Sequence, residues 1–589
     1  MKLKQCLAFM MILVLLASTA CSGGSGSDGT TAADNAADSS TESATDSGDS
    51  GFVSDSAILP TPAGQLPVVE PGTEITLNLG VVATPLIADY DTNYYTQFVK
   101  EHTGVNIEFT LIPMDTATEK VSLALSTNDV KSLPDVYMNL AMASNGRTIF
   151  GPSYASYWYD QGMIIPMNDL IDEYGHYYQK ALAVAKEQGY EIDTWMTSAD
   201  GNMYSLPNFS ASLTNSYPNK LWINQGWLDA LDLPMPTTTE EFREVLRAFK
   251  NNDPNGNGKA DEISFAGAKQ TIYYGYDFII NAFIYNQAGA TYNRMYVEDG
   301  IVKFAATTDE WREAMIYLRE LSDEGLYYTG SFTQDLTTLQ QMAVDENDIL
   351  GTFEALGYDL VVNTDDQEII NRYNSVPALI GPKGKHYVTW NAPSPMAAAV
   401  ITANCEYPEI AFRVIDFMMS EECAMINRYG QQGVNWEVAD EGAVSYYGMP
   451  AKFKILENTW GMPGQNQHFF GGGPQVYSNL IATGVQWSGN EKEAGYIKAL
   501  SVMKLDETGV VPDEYLANLV YNEEEAAIVS TYAADINTYI LQSIANFVAG
   551  DWDPKNDEQW NTYVDEYDKM GLEEYRGALQ SCYTRMKEK

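Results

Sequence analysis

The sequence predicts an α/β fold, because strand-like and helix-like segments alternate once the chain enters its apolar body near Glu74. Ile75–Val82 and Asn106–Ile112 are rich in β-branched and other apolar residues, which is typical of strands. Between them, Asn93–His102 places its apolar residues at helical spacing. Strands joined through a crossover helix pair in parallel, and ligands of such sheets bind beyond the carboxyl ends of the strands.

The same alternation continues along the chain. Ala117–Ser126 is helix-like and Leu133–Tyr137 is a short strand, so Met138–Arg147, which follows that strand, is expected beside a ligand. Thr237–Phe249 predicts a helix, since threonines can cap it, acidic residues fill its first turn and its apolar residues share one face. Pro408–Met419 predicts a further helix with one apolar stripe.

Composition excludes several classes of partner. The 589 residues include 80 Asp and Glu against 34 Lys and Arg, which gives a formal charge of −46. Phosphate binding requires a basic surface, so nucleic acid is excluded as the main partner, and so is a polybasic contact with anionic lipid headgroups. The hydrophobic fraction of 45% is sufficient for large cores.

The first residues, Met1–Ala20, are predicted to be a signal peptide. Lys2 and Lys4 precede an apolar run that is too short to span a bilayer, and small residues precede the expected cut. The next residue, Cys21, resembles the processing site of bacterial lipoproteins, where the cysteine receives a lipid anchor such as palmitate. Ordinary secretion after the same cut is the alternative.

Residues 21–72 are predicted to be the lipidated cysteine and a disordered acidic linker. Ser22–Ser56 contains seven acidic residues and no basic one, so it cannot bury enough apolar surface to offset the entropy cost of ordering. The mature protein is therefore expected on the extracytoplasmic face of the cell membrane, attached through its lipid only. Cys405, Cys423 and Cys582 lack metal-ligand spacing and are expected to be buried apolar residues, with a Cys405–Cys423 disulfide left open.

An oxygen-rich loop follows the capped helix and predicts a structural calcium site. Oxygen-bearing side chains alternate along it, and Gly258 stands where a calcium loop turns sharply. Ser264 occupies the position of the bidentate glutamate of an EF-hand, and Glu262 is the expected substitute. The predicted ligands are Asp253, Asn255, Asn257, Lys259 through its backbone carbonyl, Asp261 and Glu262. A polar Asn/Gly turn without metal is the alternative.

The sequence contains no familiar catalytic signature. Its 4 histidines stand outside zinc-binding patterns, and neither a G-x-S-x-G elbow nor a phosphate-binding G-x-x-x-x-G-K-[ST] motif occurs. Gly471–Gly473 is glycine-rich but indicates a loop, because no Lys-Ser or Lys-Thr follows it. Among 80 acidic residues some pair always suits glycoside hydrolysis, so such a pair is uninformative. We therefore expect a protein that is not an enzyme.

Aromatic clusters suggest carbohydrate binding. Tyr273, Tyr274 and Tyr276 lie close together in the sequence, and Trp390 and Trp436 stand in loop-like surroundings. Flat rings stack on the C–H faces of sugars while their polar edges join hydrogen bonds. For any single ring, packing in a core is the alternative.

Several ordered stretches resemble the extracellular solute-binding lipoproteins of carbohydrate ABC importers, in the large branch common in Gram-positive bacteria. Their order and coverage extend along nearly the whole mature chain. The stretches are Gln161–Tyr174, Asp200–Pro207, Leu221–Pro234 with the capped helix, the oxygen-rich loop, Ile401–Phe412 and Tyr429–Trp436.

The resemblance implies a periplasmic-binding-protein-like fold of type II, with two α/β lobes joined by a hinge. The N-terminal lobe is expected to comprise residues 73–207 and 350–398, and the C-terminal lobe residues 208–349 and 399–589. Crossings between the lobes are expected near Pro207–Tyr217, Ile349–Phe353 and Ala397–Thr402.

The resemblance also implies the function. We expect a monomer that captures an oligosaccharide or another carbohydrate and delivers it to the permease of an ABC importer. The ligand-binding residues implied are Asn145, Tyr274, Tyr276, Phe353, Glu354, Trp390 and Trp436. Two alternatives stay open: a secreted carbohydrate-active enzyme, and a solute-binding protein for a peptide or another ligand that is not a sugar.

Overall fold

A computed structural model describes residues 58–139, 149–270, 273–287, 292–362, 366–459, 462–469 and 471–588. These described residues belong to one compact unit. The predicted signal peptide, Cys21 and Asn145 lie outside the described residues. Within the described part of the chain, no helix combines the length and the apolar character needed to cross a membrane.

The strands, numbered in chain order, are β1 Thr76–Ala83, β2 Asn106–Pro113, β3 Val136–Met138, β4 Leu206–Ser210, β5 Lys220–Asn224, β6 Met295–Glu298, β7 Ile301–Phe304, β8 Thr352–Ala355, β9 Tyr373–Ser375, β10 Met396–Ile401, β11 Trp436–Val438, β12 Phe453–Ile455 and β13 Gln475–Tyr477.

The helices are α1 Tyr94–Thr103, α2 Ala117–Ser126, α3 Ala155–Asp160, α4 Asn168–Tyr174, α5 His176–Glu187, α6 Ile192–Met196, α7 Leu213–Ser216, α8 Gln225–Ala230, α9 Thr239–Asn251, α10 Tyr276–Ile280, α11 Asp309–Asp323, α12 Leu336–Ala343, α13 Gln367–Ile370, α14 Pro408–Met418, α15 Glu421–Tyr429, α16 Asn479–Ala482, α17 Ala494–Thr508, α18 Glu523–Ala549, α19 Asp557–Lys569 and α20 Leu572–Lys587.

The first lobe is built on a six-stranded sheet with the order β13-β4-β10-β3-β1-β2. β1 is parallel to both β2 and β3, which confirms the predicted parallel pairing across helical crossovers. β10 is antiparallel to β3 and β4, and β13 is parallel to β4. The carboxyl ends of β1, β3, β4 and β13 therefore lie along the same edge as the start of β10. We call this the carboxyl edge of the first sheet.

The second lobe contains a three-stranded antiparallel sheet in the order β8-β5-β9. All five residues of β5 are buried. Leu221 and Ile223 contribute to one hydrophobic core and Trp222 to another on the opposite face, so β5 lies between two apolar layers. Together with the first sheet, this arrangement gives the predicted two-lobed α/β fold.

The chain contributes separated segments to each lobe. The first core draws on residues between 68 and 211 and between 397 and 476. The second core draws on residues between 217 and 388 and between 502 and 583. The chain thus passes between the cores after Ala211, before Ala397 and again between Val476 and Val502.

These boundaries differ from the predicted ones. Residues 350–398 were expected in the N-terminal lobe, but β8 and β9 pair with β5 and belong to the second lobe. The crossing expected near Ile349–Phe353 therefore lies inside the second lobe. Conversely, β10 and α14 pack in the first lobe, although residues 399–589 were expected in the C-terminal lobe. The division into lobes depends on pairing between strands that are far apart in the sequence, so no local sequence pattern predicts it.

The end of the predicted disordered linker is ordered. Val68 and Val69 are buried in the first core. The guanidinium of Arg413, on α14, donates hydrogen bonds to the carbonyls of Pro62 at 3.0 Å and Gln65 at 2.7 Å. Apolar side chains and the buried guanidinium of Arg413 therefore hold residues 58–72 against the first lobe. This segment follows the acidic part of the predicted linker.

Candidate functional site

The oxygen-rich loop begins where α9 ends. Thr238 and Glu241 form a capping box at the start of α9, which fixes this helix as the sequence predicts. The chain leaves it through Asp253 with a φ of +46°, followed by Gly258 with a φ of +75°. Such positive values favour glycine and are tolerated by Asp, so the tight turn expected of a cation-binding loop is present.

Carboxylate and amide groups of the loop are linked to one another. The Asp253 carboxylate accepts hydrogen bonds from the backbone N–H groups of Asn257 and Gly258, both at 3.0 Å. The Asn257 Nδ2 donates to the two carboxylate oxygens of Asp261 at 3.0 and 3.2 Å. The hydrogen bond from Asn257 is the main cause of the lowered pKa of Asp261. Asn255 donates to the same carboxylate at 3.3 Å, so the four predicted side-chain ligands lie side by side.

Glu262 is the exception in this loop. Its Oε1 is buried and has no hydrogen-bond partner among the described residues. Burial raises the pKa of Glu262, and the charges of Asp261 and Asp253 add to this effect. An unpaired carboxylate oxygen beside other anionic groups is the environment that a hard cation stabilises.

The acidic residues alone do not form a metal centre. Among the described residues, no group of three or more His, Cys, Asp or Glu is arranged to hold a metal ion. A cation in this loop would therefore also need amide oxygens from Asn255 and Asn257, and the oxygen chemistry of the whole set fits Ca²⁺.

The loop is joined to the second lobe. Ile263 forms an isolated β-bridge with Leu350, just before β8. Asn255 donates to the backbone carbonyl of Asp348 at 3.4 Å, and the Asp348 carboxylate accepts from the indole N–H of Trp227 at 3.0 Å. The loop therefore braces the start of β8 and the helix that follows β5.

At the carboxyl edge of the first sheet, Asn139 follows β3. It adopts a φ of +62° and is 1% exposed, and within the described part of the chain neither its Oδ1 nor its Nδ2 has a hydrogen-bond partner. A Cβ on Gly472 would lie 2.1 Å from the Asn139 Oδ1, so glycine at 472 leaves room for this amide. Because a buried amide without partners is costly, Asn139 is the residue best placed at this edge to bind a polar ligand.

Asn139 lies within the predicted segment Met138–Arg147 but was not itself predicted. The signal was its position directly after a strand that ends at this edge. Asn208, in the middle of β4, which β10 separates from β3, donates to the Gly473 carbonyl at 2.9 Å and orders the glycine loop.

Lys220, at the start of β5, ties one crossing to the second sheet. It is buried, and its Nζ donates to the carbonyls of Thr214 at 3.0 Å, Leu356 at 2.9 Å and Tyr217. Burial lowers the pKa of Lys220 to about 7. The Lys220 amine thus binds three carbonyls from two chain segments, the crossing between β4 and β5 and the segment that follows β8.

Two of the predicted ligand residues present partly exposed rings. Trp390 precedes the second crossing and packs edge-to-face on Tyr217 at 5.1 Å. Tyr274 stacks on Tyr276 with ring centroids 5.0 Å apart. Tyr276 itself is 1% exposed and belongs to the second core.

The other predicted ligand residues are buried. Phe353 packs edge-to-face on Tyr373 at 5.0 Å. Trp436 is 8% exposed, and its indole N–H donates to the Gly430 carbonyl at 2.8 Å in a small separate core. Of the predicted ligand residues, Tyr274 and Tyr276 therefore lie together, whereas Trp436 lies in a separate small core.

Glu354 is fully buried at the end of β8. The side-chain amide of Asn219 donates to its Oε1, and this hydrogen bond favours the ionised carboxylate. Burial raises the pKa of Glu354 well above its ordinary value, and the charge of nearby Asp277 adds to this. Asp277 is paired with Arg294 at 2.8 Å, so a network of buried charges lies below the aromatic pair.

Two cavities lie elsewhere on the second lobe. One of about 560 Å³ lies between the start of α9 and α11, and another of about 360 Å³ lies between α18 and α19. Neither includes a predicted ligand residue.

Comparison with known proteins gives a consistent assignment. The family of bacterial extracellular solute-binding proteins matches residues 83–425. The chain is 27% identical over 522 residues to the fructooligosaccharide ABC transporter substrate-binding protein FusA of Streptococcus pneumoniae, covering 86% of this chain and 90% of FusA.

Solved structures of that relative also match. FusA in complex with kestose has a TM-score of 0.69 at 26% identity, over 87% of this chain and 99% of FusA. A FusA EF-hand mutant in complex with fructo-nystose has a TM-score of 0.68 at 25% identity, with the same coverage. The chain therefore belongs to the bacterial extracellular solute-binding protein family.

Proposed function

We propose that this protein captures an oligosaccharide outside the cytoplasm and delivers it to the permease of an ABC importer. The observation that carries the proposal is the likeness to kestose-bound FusA over 87% of this chain. A fold alone does not determine function, but here sequence and structure agree over nearly the full length of the relative.

The two lobes provide the mechanism. Three passages of the chain connect the cores, so a rotation between the lobes needs few backbone changes. A ligand held by both lobes shifts the equilibrium toward the closed form, which the permease then distinguishes from the open form. In this proposal, Asn139 binds sugar hydroxyls from the first lobe, and Trp390 and Tyr274 offer ring faces from the second.

We further propose that the oxygen-rich loop binds one structural Ca²⁺. Its ligands would be the side chains of Asp253, Asn255, Asn257 and Asp261, the Lys259 carbonyl and Glu262. The unpaired Oε1 of Glu262 supports this, as does the EF-hand named for the relative. The loop braces the start of β8 and carries no partly exposed ring of the proposed sugar site. The ion would therefore stabilise the second lobe and take no part in chemistry.

Attachment to the membrane is proposed to occur through a lipid on Cys21, with the protein acting as a monomer. The ordered segment from residue 58 onward would then connect the acidic linker to the first lobe. Mass spectrometry of the membrane fraction tests the anchor: an N-terminal peptide that starts at an unmodified Cys21 would contradict it.

The experiment that tests the main function is a titration of the purified protein with kestose and with a panel of neutral oligosaccharides. Binding is expected to raise the melting temperature and to reduce the radius of gyration measured by small-angle X-ray scattering. The sugar should be recovered unchanged, in contrast to the products of a carbohydrate-active enzyme. Absence of both responses with every sugar would refute the proposal.

A further inference from the structure

The cavity between α18 and α19 has a lining unlike that of an ordinary seam between helices. Three aromatic rings, those of Tyr539, Trp552 and Tyr563, form one wall. The remaining lining residues are polar: Asn556, Glu558, Gln559 and Thr562. Its volume of about 360 Å³ falls in the lower part of the range of small-molecule sites, roughly 300–1,000 Å³. We call this cavity the α18–α19 groove.

The aromatic wall is held rigidly. Trp552 packs edge-to-face on the buried ring of Phe547 at 5.3 Å, and its backbone N–H donates to the Asn546 carbonyl at 3.1 Å. The Arg319 guanidinium donates to the Trp552 carbonyl at 3.4 Å. Trp552 nevertheless stays partly exposed, so this large apolar ring is fixed at the surface of the groove.

Several polar groups of the groove have unused hydrogen-bonding capacity. Asn556 caps α19 with its Oδ1 and Gln559 accepts the Asp553 N–H with its Oε1, and among the described residues neither amide nitrogen is shown with a partner. The Glu558 side chain is exposed, so its carboxylate is open to a ligand. Glu558 and Thr562 are four residues apart on α19, so they lie on the same helical face. The groove thus offers donors and acceptors beside flat rings.

We propose that the α18–α19 groove is a second carbohydrate site, which binds a mono- or disaccharide unit by stacking on Trp552. Amide, hydroxyl and carboxylate groups match the alternating donors and acceptors of sugar hydroxyls, and the ring face matches the C–H face of a pyranose or furanose. Phosphorylated ligands are disfavoured by Glu558 and by the formal charge of −46.

The geometry favours a sugar over a quaternary ammonium ion, which aromatic residues and a carboxylate also bind. A cationic ligand needs rings spaced apart around it. Here the centroids of Tyr539 and Tyr563 are 5.8 Å apart with 30° between their planes, and Trp552 lies 6.3 Å from both, tilted by 55° and 54°. These rings already contact one another and Tyr563 is only 2% exposed, so they leave no space for a cation between them.

The site would add to the proposed function without depending on it. A second contact outside the ligand-binding residues would retain a glycan chain near the protein and raise the local concentration of its ends. None of the residues proposed for the main ligand site lines this groove.

The test uses ¹⁹F NMR of the purified protein labelled with 5-fluorotryptophan, which gives one signal for each of the 11 tryptophans. Trp552→Phe and Trp390→Phe assign two of them. The probes are sucrose, maltose, cellobiose and kestose, with choline chloride as the cationic probe. We expect the Trp552 signal to shift saturably with at least one sugar, with a midpoint in the millimolar range, and to ignore choline.

Two surface variants make the result decisive. Glu558→Ala should weaken the titration at Trp552 several-fold, whereas Asp568→Ala, an exposed acid on the same helix, should leave it unchanged. A Trp552 signal that no sugar shifts would overturn the proposal, as would a shift caused by choline. So would a shift that follows the Trp390 midpoint and is insensitive to Glu558→Ala, because it would report lobe closure.

The two proposals fail separately. If Trp390 responds to sugar and Trp552 does not, the main site stands and the groove proposal falls. If Trp552 alone responds, the groove proposal stands and the assignment of the main site must be changed.

Discussion

Glu262→Gln is expected to change stability in opposite directions with and without calcium. In the protein without calcium, the Glu262 carboxylate is partly buried, its Oε1 is unpaired, and its raised pKa reflects burial and the charges of Asp261 and Asp253. A folded-state pKa above the unfolded value means that ionised Glu262 costs stability at neutral pH. The neutral glutamine removes this cost, so the variant should be as stable as the wild type or more stable in a chelator.

With calcium the sign reverses. At a free calcium concentration about 100-fold above Kd, binding to the folded state stabilises it by about 2.7 kcal/mol. If loss of the charged ligand weakens calcium binding about tenfold, the variant loses about 1.4 kcal/mol of that stabilisation. The measurement is urea unfolding followed by tryptophan fluorescence, with either calcium or EGTA present. The buried Trp227, which the loop braces through Asp348, is one of the 11 tryptophans that contribute to this signal.

The matched control is Glu346→Gln. Glu346 is exposed and lies next to Asn347, which accepts a hydrogen bond from Lys259 at 3.4 Å. The Glu346→Gln substitution therefore removes one negative charge near the loop but keeps every proposed ligand. Its effect on the free energy of unfolding should be small and similar in calcium and in EGTA. An equal change for Glu262→Gln in calcium and in EGTA would refute the calcium site and this reasoning.

Three further predictions concern other parts of the molecule. Gly472→Ala should leave the protein folded but weaken kestose binding in calorimetry, because the new Cβ would lie 2.1 Å from the Asn139 Oδ1; Gly577→Ala, with open space around it, is the control. Lys220→Met should lower the free energy of unfolding by about 2–4 kcal/mol, since three carbonyls lose their donor, and a loss below about 0.5 kcal/mol would contradict this. Burial raises the pKa of Asp416 to about 6. Because a raised carboxyl pKa gives stability that is present below the unfolded value and lost as pH rises through the folded one, the contribution of Asp416 to the free energy of unfolding should fall between pH 3.8 and about 6. Asp416→Asn should flatten that slope, and an unchanged slope would exclude Asp416 as its source.

Local elements were predictable because their signals are local. The helix predicted at Ala117–Ser126 has those bounds, and β2 extends one residue beyond the predicted Asn106–Ile112. The period of the apolar residues and the capping signals lie within such segments, so the sequence alone reports them. The capping box of α9 shows this directly.

The division into lobes and the polar residue at the carboxyl edge of the first sheet were harder to predict from the sequence. β8 is four residues long and all four are buried, so its sequence shows no alternation that would identify its partner. Its pairing with β5 joins residues more than 120 positions apart, for example Lys220 with Ala355. Asn139 is one of several polar residues after β3 in the sequence, and the room for its buried amide is left by Gly472, which is remote along the chain. The proposed role of Asn145 stays a prediction.

The topology explains why ligand binding and lobe movement would be coupled. β4 ends at Ser210 and β13 ends at Tyr477, both at the carboxyl edge of the first sheet. Since β10 runs antiparallel to β4, it begins at this same edge, with Met396 opposite Asn208. The passages between the lobes therefore leave and enter beside Asn139, where a parallel sheet binds its ligands. A ligand bound at this edge would touch the segments that must bend, so its binding energy would act directly on the hinge.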